Sequence, residues 1–400
     1  MCGGPREGAA VSEVNERGAI ARTTKTSPRD PDRHVFIGQK DGQFLGNAKH
    51  LFLHFATQRP EVPVHFLSRR RDVCKMLGEA GLPALFFPSD EAIQTLAAAG
   101  TIVVDTFDFR HAPYEPLVRD ARLIQLWHGV GFKKIGFMER DSRVPGNYEA
   151  AELERLYSGY DTVITTSPFY ANEVFAKAFQ ARCVAPLGYP RTDVLFRRPG
   201  KLDLLNADYD AFVSLVRLKK ERRIILFAPT FRDKVGDAFG SGSLDYAVLD
   251  RFLDKAGMHL VIKGHHLTGG RLVSSLPNIT VFDNNADVYP LMPLVDLMVT
   301  DYSSIFMDYL LLDRPVLFFC PDYDEYIKRN RELQFPYETM TPGPKCRTQG
   351  ELHEALAQVA LGRDDYAKDR RALRDRAFLH TDGRASERIA AYLCDSSDPA

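Results

Sequence analysis

The chain has 400 residues, 52 of them lysine or arginine against 53 aspartate or glutamate, for a formal net charge of −1, and 44% of its residues are hydrophobic. That near-neutral balance excludes a general electrostatic affinity for nucleic acid, so any anionic ligand has to be held by a local site. The length suits one very large domain or two ordinary ones, and no apolar run approaches the roughly 18 residues of a transmembrane helix.

Charges at Arg6, Glu7, Glu13, Glu16 and Arg17 interrupt the first twenty residues, so no secretory signal is expected there. Residues 1–33, ending in the polar and proline-bearing TKTSPRDPDR, read as a flexible tail. Ordered structure is expected to begin at HVFIG (34–38). Short β-branched or aromatic runs then recur with helical stretches between them: VPVHFLS (62–68), ALFFPS (84–89), TIVVDTF (101–107), LIQLW (123–127), DTVITTS (161–167) and RCVAPLG (182–188). That rhythm predicts an α/β fold. The mixed stretch PGKLDLLNADYD (199–210) is the expected domain junction. After it the rhythm restarts with IILFAPT (224–230), HLVIKG (259–264), ITVF (279–282), DLMVT (296–300) and PVLFF (315–319), and a helix at 384–393 closes the chain. The predicted division is 34–205, 206–380 and a terminal helix and tail at 381–400.

Cys2, Cys74, Cys183, Cys320, Cys346 and Cys394 form no C-x-x-C pair and no metal-finger spacing, which fits isolated thiols in a reducing, cytoplasmic setting. The glycines of FIGQKDGQFLGN (36–47) do not reproduce G-x-G-x-x-G, and there is no Walker loop, nucleophile elbow or H-E-x-x-H helix.

Chemistry concentrates where strands end. In VTDYSSIFMDYLLL (299–312) an apolar strand breaks at Asp301, Ser303 and Ser304, and the apolar residues Ile305, Phe306, Tyr309, Leu310 and Leu312 then follow helical spacing. The junction has two readings: capping of the helix by Asp301 or Ser303, or an anion held by helix-start amides and serine hydroxyls. In LIQLWHGVGFKKIG (123–136), His128 stands at a strand end beside Gly129 and Gly131, with Lys133 and Lys134 close by. An imidazole there serves as a general base or as a structural hydrogen-bonding group, and the lysines as phosphate contacts or solvated charges. In HLVIKGHHLTGG (259–270), extended backbone puts Lys263 and His265 on one face and His266 on the other, with metal binding by the adjacent histidines as a competing use. Arg232 in APTFRD and Arg191 in GYPRTD are candidates for phosphate contact or for turn-fixing ion pairs with neighbouring aspartates, Asp193 among them.

Taken in order, LWHG (126–129), GYPRTD (188–193), APTFRD (228–233), KGH (263–265), TDYSS (300–304) and RPVLFF (314–319) resemble the CDP-glycerol glycerophosphotransferase family, the teichoic-acid primases, polymerases and related capsule polyol-phosphate transferases. DGQFLGNAKHLFLHF (41–55) adds to the likeness, which covers about 34–390. The resemblance implies a GT-B architecture, two Rossmann-like domains flanking a cleft, with the donor held mainly by the C-terminal one. It implies CDP-glycerol or CDP-ribitol as donor and a hydroxyl of a polyprenyl-linked or polymeric glycan as acceptor, met by peripheral association with the inner face of the cell membrane. On this likeness His128 is the catalytic base, His265 a second catalytic candidate, and Lys263, His266, Thr300, Asp301, Ser303, Ser304 and Arg232 surround the donor. Lys133, Lys134, Arg191 and Asp193 are acceptor-side or structural candidates. The family often has proline where this chain has His266, which leaves the split of roles between His265 and His266 open. No metal ligand set is implied; a divalent cation is compatible with the chemistry and not required by it. The rival readings are a GT-B glycosyltransferase using a nucleotide sugar, a non-catalytic binder of the same donor, and a sugar-nucleotide epimerase.

Overall fold

The computed structural model describes residues 28–110, 114–142, 148–230, 243–263, 276–329 and 332–395. Its first sheet contains β1 (Asp30–Ile37), β2 (Val64–Ser68), β3 (Ala84–Phe86), β4 (Ala99–Val104), β5 (Arg122–Gln125), β6 (Ser158–Ile164) and β7 (Gln180–Ala185), in the order β3-β2-β1-β4-β5-β6-β7. The second contains β8 (Arg223–Ala228), β9 (Met258–Ile262), β10 (Ile279–Val281), β11 (Leu297–Thr300), β12 (Val316–Phe319) and β13 (Lys345–Cys346), in the order β10-β9-β8-β11-β12-β13. Every pairing is parallel. Strands covered on both faces read as near-continuous apolar runs, as in β8, where Ile224 to Ala228 are all buried. Two parallel α/β sheets of this kind are consistent with a GT-B-like fold.

Each expected apolar run forms a strand in register with its neighbours. The two-residue β13 was not anticipated, because Lys345 and Cys346 carry no apolar run to announce it.

In both sheets strand order reverses beside the first strand, and ligands gather beyond strand C-termini at such switch points. Here β4 and β5 are aligned with Val104 opposite Gln125, so Asp105 and the segment from Leu126 leave the sheet side by side. Likewise Ala228 of β8 lies opposite Thr300 of β11, which delivers Thr230 and Asp301 together.

The halves share one apolar core, which runs from Val35 to Leu393, while a second cluster lies on the far face of the second sheet around Leu253, Ile262 and Leu352. Phe132 meets Phe306 at 5.9 Å and Tyr337 at 6.1 Å between ring centroids, joining the His128 loop region to the second half. The closing helix, α3 (Ala385–Asp395), returns to the first half: Tyr392 Oη lies 2.9 Å from Thr162 Oγ1. Two earlier helices, α1 (Gly46–Gln58) and α2 (Ile305–Tyr309), reach the strand-end junctions.

Candidate active site

His128 sits in a turn whose backbone is forced. Trp127, directly before it, has φ +55°, a left-handed conformation that costs a bulky residue about 1–3 kcal/mol. Buried side chains offset that strain by taking successive carbonyls of the turn. Asn47 Nδ2, from α1, donates to Trp127 O at 2.8 Å; Arg191 Nη1 donates to His128 O at 2.7 Å; Tyr189 Oη donates to Gly129 O at 3.3 Å. The indole is thereby held in the core, and the imidazole, tilted 32° against it at 4.1 Å between centroids, is left exposed. His128 Nδ1 lies 3.3 Å from the Asp105 carbonyl. A carbonyl only accepts, so Nδ1 carries a proton, and in the neutral ring the lone pair then lies on Nε2, the arrangement a general base needs.

At the second junction Asp301 caps inward. Its Oδ1 accepts from Thr230 N at 2.8 Å, Thr230 Oγ1 at 2.7 Å, Tyr302 N, and Ser303 N at 3.2 Å. Thr300 Oγ1 donates to Ala228 O at 2.7 Å. Both side chains, expected to surround a donor, are fully buried and shape the junction from behind. Ser303 and Ser304 are half-buried, and Ser304 lines a cavity together with His128. The helix they open is shorter than its apolar spacing suggests, α2 passing into a 3₁₀ turn over Leu310–Leu312 that ends at Asp313, φ +48°.

The two junctions touch. A Cβ placed on Gly129 would come within 3.2 Å of Ser304 Oγ and 3.2 Å of Arg191 Nη2, and the residue's φ is +154°, so close approach and backbone conformation both favour glycine here. Arg191 ties the contact together. Its Nε and Nη2 donate to Asp308 Oδ2 of α2 at 2.9 and 2.6 Å, while Tyr289 Oη donates to the same oxygen at 2.6 Å. Burial opposes the charge on Arg191, but Asp308 outweighs it and raises the guanidinium's pKa. Arg191 is thus a buried strut and not an exposed phosphate contact, and its partner is Asp308 instead of the neighbouring Asp193. Asp193 accepts from Ala385 N and Ser386 N, both at 2.8 Å, and caps α3.

Lys133 lines the cavity, its ammonium 5.4 Å from the Tyr326 ring centroid. Lys134 pairs with Glu332 at 3.0 Å, beside a short bridge between Lys133 and Leu333. Lys263, at the end of β9, points instead toward the loop before residue 288: its Nζ donates to Asn284 O at 3.4 Å and Ala286 O at 3.3 Å. Burial lowers its pKa to about 8, against the opposing pull of Asp287. Asp287 in turn accepts from Lys49 Nζ at 2.9 Å and His50 Nε2 at 3.0 Å, both from α1. Burial would raise the pKa of Asp287, but these partners hold its carboxyl well below the usual range. Arg232, His265 and His266 lie outside the described residues. Among the described residues no group of three or more His, Cys, Asp or Glu side chains stands ready for a metal ion.

Sequence reasoning gave no role to Asn47, Tyr189, Asp308, Lys49 or Asp287. One signal was present: Asp308 interrupts the apolar IFMDYLLL run, and an acid on a core-facing helix demands a buried partner.

Residues 19–395 match the model of CDP-glycerol:poly(glycerophosphate) glycerophosphotransferases. The chain belongs to this glycerophosphotransferase family. Membership makes it a transferase of polyol phosphate from a CDP-linked donor. The teichoic acid ribitol-phosphate primase of Bacillus spizizenii is 28% identical over 375 residues, with 92% of each chain covered. The teichoic acid ribitol-phosphate polymerase TarL of Staphylococcus aureus is 30% identical over 318 residues, which are 75% of this glycerophosphotransferase but 52% of the polymerase. Among solved structures, the wall teichoic acid polymerase TagF aligns with a TM-score of 0.75 at 22% identity, over 98% of this chain and 95% of that one. A UDP-N-acetylglucosamine 2-epimerase structure from Listeria monocytogenes, itself described as putative, aligns with a TM-score of 0.54 at 13% identity, over 94% of this chain and 98% of that one, a likeness of fold alone.

Proposed function

We propose that this chain transfers glycerol phosphate or ribitol phosphate from CDP-glycerol or CDP-ribitol to a hydroxyl of a lipid-linked or polymeric cell-surface glycan, releasing CMP. The observation that carries the reading is that His128 and Ser304 line one cavity, Gly129 approaching Ser304 so closely that an added Cβ would lie 3.2 Å from its Oγ, which supports His128 as a base beside the serine junction across the two halves. The halves act as a GT-B pair of Rossmann-like domains, residues 34–205 on the acceptor side and 206–380 on the donor side, with 381–400 closing the chain.

In this reading the donor diphosphate lies between His128 and Ser303 and Ser304, with Lys263, Arg232 and His266 as further donor-binding residues and His265 as a second catalytic candidate. The acceptor oxygen forms a bond to the polyol-bearing phosphorus as its proton passes to His128 Nε2. The bond from that phosphorus to the bridging oxygen breaks, and CMP leaves with the electron pair. Positive side chains and serine hydroxyls stabilise the charge that builds on the equatorial and leaving oxygens. A divalent cation is compatible with this step, and activity with and without chelator decides its part. Among the described residues no helix is long and apolar enough to cross a membrane. In this reading a lipid-linked acceptor is met by peripheral association, in the cytoplasm at the inner face of the cell membrane.

The test incubates the protein with CDP-glycerol, CDP-ribitol and nucleotide sugars, with and without a lipid-linked acceptor, and weighs the products. CMP release with an acceptor mass gain of one polyol phosphate is expected. Gain of a sugar with release of a nucleoside diphosphate would establish the glycosyltransferase reading in its place.

A further inference from the structure

The helix α1 begins with Gly46, Asn47 and Ala48, and all three are engaged with the strand ends that frame His128. Leu45, at the N-cap, offers no side-chain bond to the helix start. The acceptor comes from a strand end instead, with Ala48 N donating to Asp105 Oδ2 at 3.2 Å. Gly46, at φ +70°, leaves room for that carboxylate, since a Cβ on it would lie 2.9 Å from Asp105 Oδ2. Asn47 is wholly buried. Its Nδ2 donates to Trp127 O at 2.8 Å and to Leu126 O at 3.4 Å, and its Oδ1 accepts from Arg191 N at 3.2 Å. Carbonyls only accept and a peptide N–H only donates, so the partners assign both ends of the amide.

Asp105 follows β4 and Leu126 follows β5, so one helical turn straddles the two strand ends between which the imidazole is held. Asn47 fixes the carbonyl immediately before His128, and Ala48 fixes the residue whose carbonyl lies against His128 Nδ1. Capping of α1 accounts for the Ala48 bond alone. It does not account for an amide buried at position 47 and bonded to two separate loops, where a leucine would pack with no polar group to satisfy. We propose that this turn of α1 aims the base: Asn47 is a positioning residue that acts through His128, holding the ring against Asp105 so that Nε2 meets the acceptor hydroxyl. The inference rests on the reading of His128 as the base. Through Arg191 N the same amide also steadies the strut to Asp308, so the base and the serine junction are both referred to one side chain.

Asn47→Asp is nearly isosteric and separates the two bonds, because a carboxylate still accepts from Arg191 N but cannot donate to Trp127 O. CMP release from CDP-glycerol with a lipid-linked acceptor is measured for the full chain as wild type, Asn47→Asp, His128→Ala and the double variant. Asn47→Asp is expected to lower kcat about 10²-fold, the effect of a misplaced group, and to leave the CDP-glycerol KM unchanged. In the His128→Ala background it is expected to change the residual kcat by less than about threefold, since a residue that acts through the imidazole has nothing left to aim. Equal losses in both backgrounds, or full kcat in Asn47→Asp, would overturn the proposal. Should Asn47→Asp fail to fold, Gly46→Ala, which presses on Asp105 and keeps the Asn47 amide, is carried through the same cycle with the same expected split. Trp127 is the chain's single tryptophan, so acrylamide quenching of its emission reports on the turn without a label. Quenching is expected to rise in either variant, and quenching equal to wild type overturns the proposal even where the residual rate of His128→Ala lies below detection. Normal turnover by His128→Ala removes the base reading and this inference with it. A slow His128→Ala in which the two losses multiply removes the aiming role alone.

Discussion

An imidazole takes a proton only at the nitrogen that carries the lone pair, and the carbonyl of Asp105 decides which one that is. Holding Nδ1 at 3.3 Å sets the neutral ring's lone pair on Nε2, the atom the proposed transfer turns toward the acceptor hydroxyl. His128→Ala is therefore expected to lower kcat by about 10²–10⁴-fold, the usual worth of a positioned base, with donor affinity unchanged in a binding titration. Lys263 gives a pH signature of its own. Burial lowers its pKa to about 8 from 10.5, so its ammonium is complete below pH 8 and lost as pH rises above it. If that ammonium faces the diphosphate, kcat/KM for CDP-glycerol should fall on an alkaline limb near pH 8, and Lys263→Arg, charged throughout, should abolish the limb. Stability carries the opposite sign. The unfolded lysine holds the proton that the folded one has released, so the folded state gains stability between pH 8 and 10.5. A pH–rate profile of Lys263→Arg that retains the limb would place the titrating group elsewhere.

Strands were legible at the scale of elements because a buried parallel strand is an unbroken apolar run, and β8, β9 and β11 announce themselves in that way. The loops between them were legible as strand ends carrying His128, Lys263 and Ser303, but not in the direction each side chain takes. Arg191 shows why. Its partner Asp308 is 117 residues away, whereas the aspartate two positions on caps a helix near the chain's end, and no local spacing distinguishes the two. The Arg191–Asp308 pair links α2 to the His128 turn, so it sets the separation of His128 and the serine junction. A misplacement of about 1 Å costs on the order of 10²-fold in rate. Arg191→Lys, which lacks the guanidinium's fork, is expected to lower kcat by about that factor with the donor KM little changed. Replacing both partners, Arg191→Met with Asp308→Leu, removes the buried charges together and should recover much of the stability lost by either alone. The rate should not recover with it. Recovery of both would make the pair a packing element with no positioning role.

One apolar core through both halves makes the molecule a single cooperative body, and its polar counterpart is the cluster of Lys49, His50 and Asp287. Lys49 donates to the carbonyls of Asp203 and Leu205, both at 2.7 Å, as well as to Asp287. It therefore joins α1, the junction between the sheets, and the 283–287 loop at one buried ammonium. Removing one member of such a cluster leaves a buried charge uncompensated, which costs about 3–5 kcal/mol. Asp287→Asn should lower the unfolding free energy by about that amount, read from the denaturant midpoint at pH 7, while wild type unfolds in one transition. The acid limb carries a checkable sign. Because Asp287's folded pKa is depressed below 3.8, its contribution is whole above that value and drains as pH falls beneath it. The stability gap between wild type and Asp287→Asn should accordingly narrow below pH 4. The loop released by this substitution also supplies the carbonyls that hold Lys263, so the donor KM should rise along with the loss of stability. A variant destabilised as expected but with an unchanged donor KM would separate the latch between the halves from the donor site, and would place the loop's role in folding alone.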